Sequence, residues 1–301
     1  MSLLTPMLPE NVAASRPPLA RRFPIGRGYV LPWVGGGVLA VMVLGAIFVP
    51  LVSPFGVDSL DFSAVLRAPG SSVQGHLHLF GTDELGRDIL TRVFYGARFS
   101  LWISAVSVLG AFLLGTAVGL IAGYVGGLVD DVLMRICDVQ LAFPLVLLAL
   151  AILAALGSSV KDVMFVFILT LWPVFARTAR GSTLVLREQT FVESARAVGA
   201  SHTRILLKHI LPNAAGPLVV VGTFQFASVI IYESALGFLG LGVQPPTPTW
   251  GNMIAEGRQY LGTSWWISAL PGLMLVATTM SVNWIGDGIT RVLNPRQRRQ
   301  V

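Results

Sequence analysis

From Val30 to Val52 the chain runs without a single charged residue. A membrane-crossing helix needs about 20 such residues, because the hydrocarbon layer is about 30 Å thick and a helix rises about 1.5 Å per residue. Residues 99–123, 139–156, 214–232 and 264–286 are also charge-free. Only 12% of the 301 residues are charged and 54% are hydrophobic, against about 25% charged in a soluble domain. So few charges cannot clothe a water-soluble surface, and so apolar a chain is not disordered. The fold class expected is an all-α polytopic membrane protein.

One further stretch, 163–176, has the length of a buried or re-entrant segment. Extended to 158–179 it crosses, with Lys161 and Asp162 near one end and Arg177 at the other; long basic side chains can reach back to the interface. Six spans follow, about 30–52, 99–123, 139–156, 158–179, 214–232 and 264–286, within a domain covering 29–292. An even number puts both tails on one side. The N-terminal tail, 1–28, carries Arg16, Arg21, Arg22 and Arg27, and the C-terminal tail, 293–301, carries Arg296, Arg298 and Arg299 just after Arg291. The loop 180–213 and its flank add Arg177, Arg180, Arg187, Arg196, Arg204 and Lys208, so this side holds most of the 21 lysines and arginines. The positive-inside rule places it in the cytoplasm and the loop 54–98 outside. The net charge of +6 then belongs to cytoplasmic loops facing lipid headgroups, and no nucleic-acid partner is expected. The first apolar run, 23 residues from Val30 to Val52, is long and lacks a small-residue cleavage site, so residues 1–28 are expected to be a cytoplasmic tail and not a cleaved signal peptide. Cys137 is the one cysteine, so no disulfide forms within the chain.

The long basic loop is the informative one. Glu188 to Asn213 reads EQTFVESARAVGASHTRILLKHILPN. Phe191, Ala195 and Val198 recur at i, i+4 and i+7, one apolar face of a short helix. Gly199 ends it, and Ser201 caps a second helix carrying Ile205, Leu206 and Ile210. Pro212 then disturbs the start of the fifth span. Two short amphipathic helices either lie on headgroups or offer a partner something to grip.

Glu193-Ser194-Ala195, Gly199 and then His209-Ile210-Leu211-Pro212 resemble the EAA loop of bacterial ABC importer permeases, whose pattern is E-A-A, three residues, G, nine residues, I-x-L-P. Ser194 stands for an alanine and His209 for the isoleucine. Residues 81–101, GTDELGRDILTRVFYGARFSL, are similar to a segment of one of the two permeases of dipeptide and oligopeptide importers; the motif residues are Gly81, Thr82, Asp83, Gly86, Arg87 and Asp88. Residues 121–135 and 235–251 supply two more such blocks. The resemblance implies a type I ABC importer permease fold in the bacterial inner membrane, and a role as a non-catalytic subunit that moves di- or oligopeptides by alternating access. The implied partners are a homologous second permease, two ATPase subunits gripping the loop Glu193–Pro212, a solute-binding protein, the peptide cargo and membrane lipid. Relatives that carry nickel or glutathione keep those cargoes open. No cofactor is expected in this chain; ATP and Mg belong to the ATPase subunits. The residues agree, since a phosphate-binding loop needs a lysine after glycine and the only lysines, Lys161 and Lys208, follow Val160 and Leu207.

Other features admit two readings. Gly115, Gly119, Gly123 and Gly127 fall every four residues, a spacing that lets helices approach closely, within the chain or against a partner. Asp83 to Asp88 begins an expected helix with Leu85, Ile89, Val93 and Phe94 on one side, lying along the outer face; its charges pair with one another or meet an external protein. His76 and His78 lack a third ligand for a metal. Asp138, Glu233, Asp287 and Arg291 sit near span ends, as solvated or paired groups. Mid-span polar residues are neutral (Ser104, Thr170, Gln225, Thr279, Asn283), which disfavours an ion-driven secondary transporter, since such a carrier needs an intramembrane charge. A non-transporting membrane scaffold is the third class. The residues lining the translocation path cannot be assigned from sequence.

Overall fold

The computed structural model describes residues 30–293. Both basic tails lie outside the described residues, apart from Leu293, which closes the last helix. Among the described residues, five helices are long and apolar enough to cross a membrane, and a bent helix pair makes six if it counts as one crossing.

Helix α1, Val30–Val52, buries only Gly35, Met42 and Ala46. The short strands β1, Ser71–Val73, and β2, His76–His78, pair antiparallel in the loop that follows α1. Helix α2, Ile89–Val125, has 37 residues. It begins ten residues before the span expected at 99, because the Asp88 side chain caps it by accepting from the Thr91 N–H at 2.9 Å. This corrects two expectations. The outer loop ends at Asp88, not at 98, and no separate helix runs from Asp83 along the membrane face. Gly126, with φ of 72°, ends α2.

The expected span 139–156 is broken. Helix α3, Gly127–Leu141, and helix α4, Leu145–Leu156, meet at 88°. Residues 124–138, between the second and third expected spans, are mostly helix. Pro144 causes the break, since its ring disfavours helical backbone at Phe143 and it has no N–H to donate. The 12 residues of α4 extend about 18 Å, short of the hydrocarbon thickness.

Helix α5 runs Val160–Leu186 from a capping box of Ser159 and Asp162. It extends beyond the expected end at 179, so the following loop is shorter than 180–213. That loop holds α6, Thr190–Ala197, and α7, His202–Ile205. From α7 the chain continues through a π turn, Leu206–Ile210, directly into α8, Leu211–Phe238. The whole run His202–Phe238 is one apolar helix of 37 residues. Pro212 therefore does not interrupt the fifth span; it follows directly on the π turn, where the α hydrogen-bond register is already broken. Helix α9, Trp250–Gly257, is a short helix with a Thr249–Asn252 capping box. Helix α10, Trp266–Leu293, closes the bundle.

The main apolar core lies among α2, α4, α5 and α8, with Ile103, Leu153, Phe167, Leu171, Phe175 and Leu218 inside. Its tightest seam joins α2 to α5. A Cβ built on Gly115, Gly119 or Gly123 meets the Trp172 carbonyl at 2.2 Å, the Ala176 carbonyl at 2.1 Å and the Thr183 Cβ at 2.8 Å. The glycine stripe thus packs this chain against itself. Gly127 does not belong to it, since nothing lies within 4 Å of its Cβ position.

Candidate functional site

The loop helix α6 is anchored from one side and open on the other. Val192 is fully buried with Leu120 of α2 and with Ile205 and Ile210 of the following run. The face read from the spacing points outward: Phe191 is 41% and Val198 86% exposed, and Ala195 is half-buried beside the Val192 cluster. Glu193 and Ser194 are exposed on the same short helix, with the Ser194 hydroxyl donating to the Thr190 carbonyl at 2.8 Å. Phe191 and Val198, seven residues apart and both exposed, leave apolar surface on this loop that a partner can cover.

Gly199 closes α6. The Ala200 N–H donates to the Ala195 carbonyl at 3.0 Å and the Gly199 N–H to the Arg196 carbonyl at 2.9 Å. This paired turn needs a left-handed residue at Gly199, whose φ is 77°. Tyr124, at the end of α2, clamps the loop: its hydroxyl lies 2.8 Å from His202 Nδ1, and the Arg196 guanidinium sits 5.5 Å from its ring centre. Val192 and Tyr124 are the contributors that the motif reading missed; Tyr124 lay within a quoted block, but its contact with the loop is not visible in spacing. Beyond Ser201, His209 and Leu211 are half-buried and Pro212 is exposed.

The Gly81–Asp88 motif is a second polar construction. Asp83 Oδ1 accepts from the Leu85 and Arg87 N–H groups, each at 2.9 Å, and its Oδ2 is 2.6 Å from Arg87 Nε. Arg87 and Arg92 each reach Glu256 of α9 at 3.4 Å, and Arg92 Nε lies 3.6 Å from Asp83. Thr82 donates to the Ala64 carbonyl and accepts from the Arg67 N–H. Gly81 lies against the Arg67 carbonyl, and a Cβ on Gly86 would sit 1.8 Å from the Asp61 carbonyl. Burial pushes the Glu256 carboxyl above the usual carboxylate range, against the pull of Arg92 and Arg87. Of the two readings, the charges pair with one another and tie the outer loop, α2 and α9 together. His78 belongs to the same end: its Nδ1 is 3.0 Å from Asp88, and its ring stacks on Phe55 at 4.3 Å.

Arg92 is 2% exposed. Arg92→Met is expected to destabilise the chain by about 3 kcal/mol, because Asp83 and Glu256 are left in a poorly hydrated site without that cation. Thermal unfolding in detergent reads this out, and an unchanged midpoint contradicts it.

Glu233 requires a correction. It was read as a solvated or paired group near a span end; it is fully buried, with Ser100 donating to Oε2 at 3.1 Å and Oε1 without a hydrogen-bond partner among the described residues. Asp138 does pair, with Arg177, and Arg180 Nη2 reaches Asp130 at 2.6 Å, so two ion pairs join α3 to α5. The mid-span hydroxyls of Ser104, Thr170 and Thr279 donate to carbonyls of their own helices.

Residues 115–299 match the family described as binding-protein-dependent transport system inner membrane components. A dipeptide transport system permease protein of Alkalihalophilus pseudofirmus is 38% identical over 290 residues, covering 96% of this chain and 94% of that protein. A probable D,D-dipeptide transport system permease protein of Escherichia coli K12 is 36% identical over 299 residues, covering 96% and 98%. A glutathione transport system permease protein of Escherichia coli O6 is 42% identical over 257 residues, covering 85% and 83%. In three dimensions the chain is similar to one from the MetNI methionine ABC transporter in its inward facing conformations, with a TM-score of 0.55 and 19% identity, over 67% of this chain and 96% of that one. That likeness identifies the fold as that of a type I importer permease.

Proposed function

Because the chain belongs to the family of binding-protein-dependent transport system inner membrane components, we propose that it is the permease subunit of a peptide importer whose motion is driven from the loop Glu188–Asn213. The exposed apolar face of α6 carries this reading. Phe191 and Val198 are presented outward while Val192 fixes the helix to α2. ATPase subunits cover that face in the assembled transporter, a second permease completes the path, and a solute-binding protein delivers cargo at the outer end. Both tails and the α6 loop lie in the cytoplasm, and the Asp83–Asp88 motif lies outside.

The mechanism follows from connectivity. Nucleotide shifts the permease only by binding one arrangement of the ATPase pair better than the other. Displacement of α6 reaches the membrane by two routes: Val192 presses on Leu120 of α2, and α7 continues into α8 without a break. The ATPase subunits supply ATP and Mg chemistry; this chain supplies the docking face and the lever. The outer network keeps α2, α9 and the outer loop in one body as the lever moves.

Cargo is a di- or oligopeptide. The glutathione permease relatives support a second reading of the same site, in which a small peptide-like thiol is carried. Competition between a labelled dipeptide and glutathione in proteoliposomes separates the two.

Glu193→Ala is expected to weaken coupling only mildly, because an exposed charge contributes about 0–1 kcal/mol. ATP-driven uptake by the complete transporter should fall by no more than about fivefold; complete loss contradicts this and assigns Glu193 a larger role.

A further inference from the structure

The junction between the loop and α8 carries a feature that the docking reading does not use. Leu206–Ile210 forms a π turn, with the Leu211 N–H donating to the Leu206 carbonyl five residues back. A π turn inside a helix holds one residue more than the α register needs, and such turns gather at functional sites. We propose that this turn is a two-register joint, and that its switch between π and α geometry converts movement of the docked loop into rotation of α8. The proposal rests on the reading of the loop as the ATPase docking element.

Three observations support it. Ile205 and Ile210 are both fully buried in one cluster with Leu120 and Val192. Five residues apart, they would point about 140° away from each other on an α-helix; the wider turn brings them to one face. The loop is therefore docked on α2 only while the π register holds. Pro212 comes next. It has no N–H in either register, so the carbonyl it faces loses no hydrogen bond when the register changes. Asn213 Nδ2 then donates to the His209 carbonyl at 2.6 Å, fixing the first turn of α8 from the side. The bistable step is thus confined between a docked cluster and a pinned helix start. Moving to the α register turns the loop relative to α8 by about 100° and shifts it by about 1.5 Å, and it draws Ile205 or Ile210 out of the cluster.

The alternative is a static accommodation of Pro212 with no part in coupling. Deletion of Leu207, which is 55% exposed, separates the two. It places Ile205 and Ile210 four apart, so that an unbroken α-helix keeps both docked. In the complete transporter, purified through the ATPase subunits, the deleted chain should still assemble. ATP-driven uptake of a labelled dipeptide should fall by about tenfold or more, while ATP hydrolysis persists and loses its response to loaded binding protein. Assembly with wild-type uptake overturns the joint and leaves the docking reading standing. If the deleted chain does not assemble, Pro212→Ala decides. It keeps the chain length and restores an N–H that favours the α register, so uptake should drop several-fold with the complex intact; wild-type uptake there overturns the proposal. Failure of the docking reading is seen separately, as uptake by the unaltered chain without ATPase subunits.

Discussion

Replacing Gly119 with leucine is expected to prevent the chain from reaching its folded bundle. A Cβ at this position already lies 2.1 Å from the Ala176 carbonyl oxygen and 2.7 Å from the Ala179 Cβ. The first obstacle is backbone inside α5, so it cannot step aside as a flexible side chain would. One turn away on either side, Gly115 and Gly123 hold α2 against Trp172 and Thr183, at 2.2 Å and 2.8 Å from a Cβ position. Helices in lipid gain nothing from burying apolar surface against each other; close packing is what joins them. Forcing the seam open at its middle sacrifices that packing along its whole length. Overpacking in a core costs about 1–3 kcal/mol and sometimes more, and a leucine against backbone belongs at the upper end. The purified variant should give little monodisperse protein in mild detergent and a lowered unfolding midpoint. Gly36→Leu is the control, because nothing lies within 4 Å of a Cβ at Gly36 on α1. Equal behaviour of the two variants contradicts the α2–α5 assignment.

Gly199→Asp should have the opposite profile, with the fold preserved and transport lost. Nothing lies within 4 Å of a Cβ at Gly199, so the new side chain meets no steric obstacle. Aspartate tolerates left-handed backbone better than most residues, so φ of 77° costs about 1 kcal/mol. The change instead places a charge beside Val198, which is 86% exposed on the face assigned to the ATPase. A charge buried at a partner interface without a counter-ion is strongly unfavourable. ATP-driven uptake should fall by about a hundredfold or more, at the upper end of ordinary coupling energies, while the unfolding midpoint of the isolated chain moves little. Normal uptake by this variant would falsify the docking assignment.

The membrane class was legible because charge-free runs persist whatever the tertiary contacts. The loop was legible because its residues carry a spaced motif. Where the reading failed, the deciding partner was distant or a single residue outweighed an average. Residues 139–156 are apolar throughout, yet Pro144 breaks them into two helices at 88°, and hydropathy does not weigh one imide nitrogen. Pro212 seemed to interrupt the fifth span, but it follows directly on the π turn Leu206–Ile210 within one continuous helix, and residue spacing does not reveal that turn. The spacing of Gly115, Gly119 and Gly123 foretold close approach without saying which helix would approach. Glu233 seemed an interfacial acid because its neighbours in sequence lie at a span end; its contact, Ser100, is 133 residues away. Spacing put Phe191, Ala195 and Val198 on one apolar face, but Ala195 packs beside Val192 while Phe191 and Val198 are exposed; spacing alone cannot distinguish a face turned to the core from one left open.

Uptake by the reconstituted chain, with and without its companions, decides whether this permease is driven by separate ATPase subunits. Proteoliposomes holding this permease, its second permease and the ATPase subunits, supplied with binding protein and internal ATP, should accumulate labelled dipeptide. Vesicles holding this chain alone should accumulate none, whatever ion gradient is imposed. Accumulation by the lone chain that an uncoupler abolishes and ATP depletion spares would contradict the account.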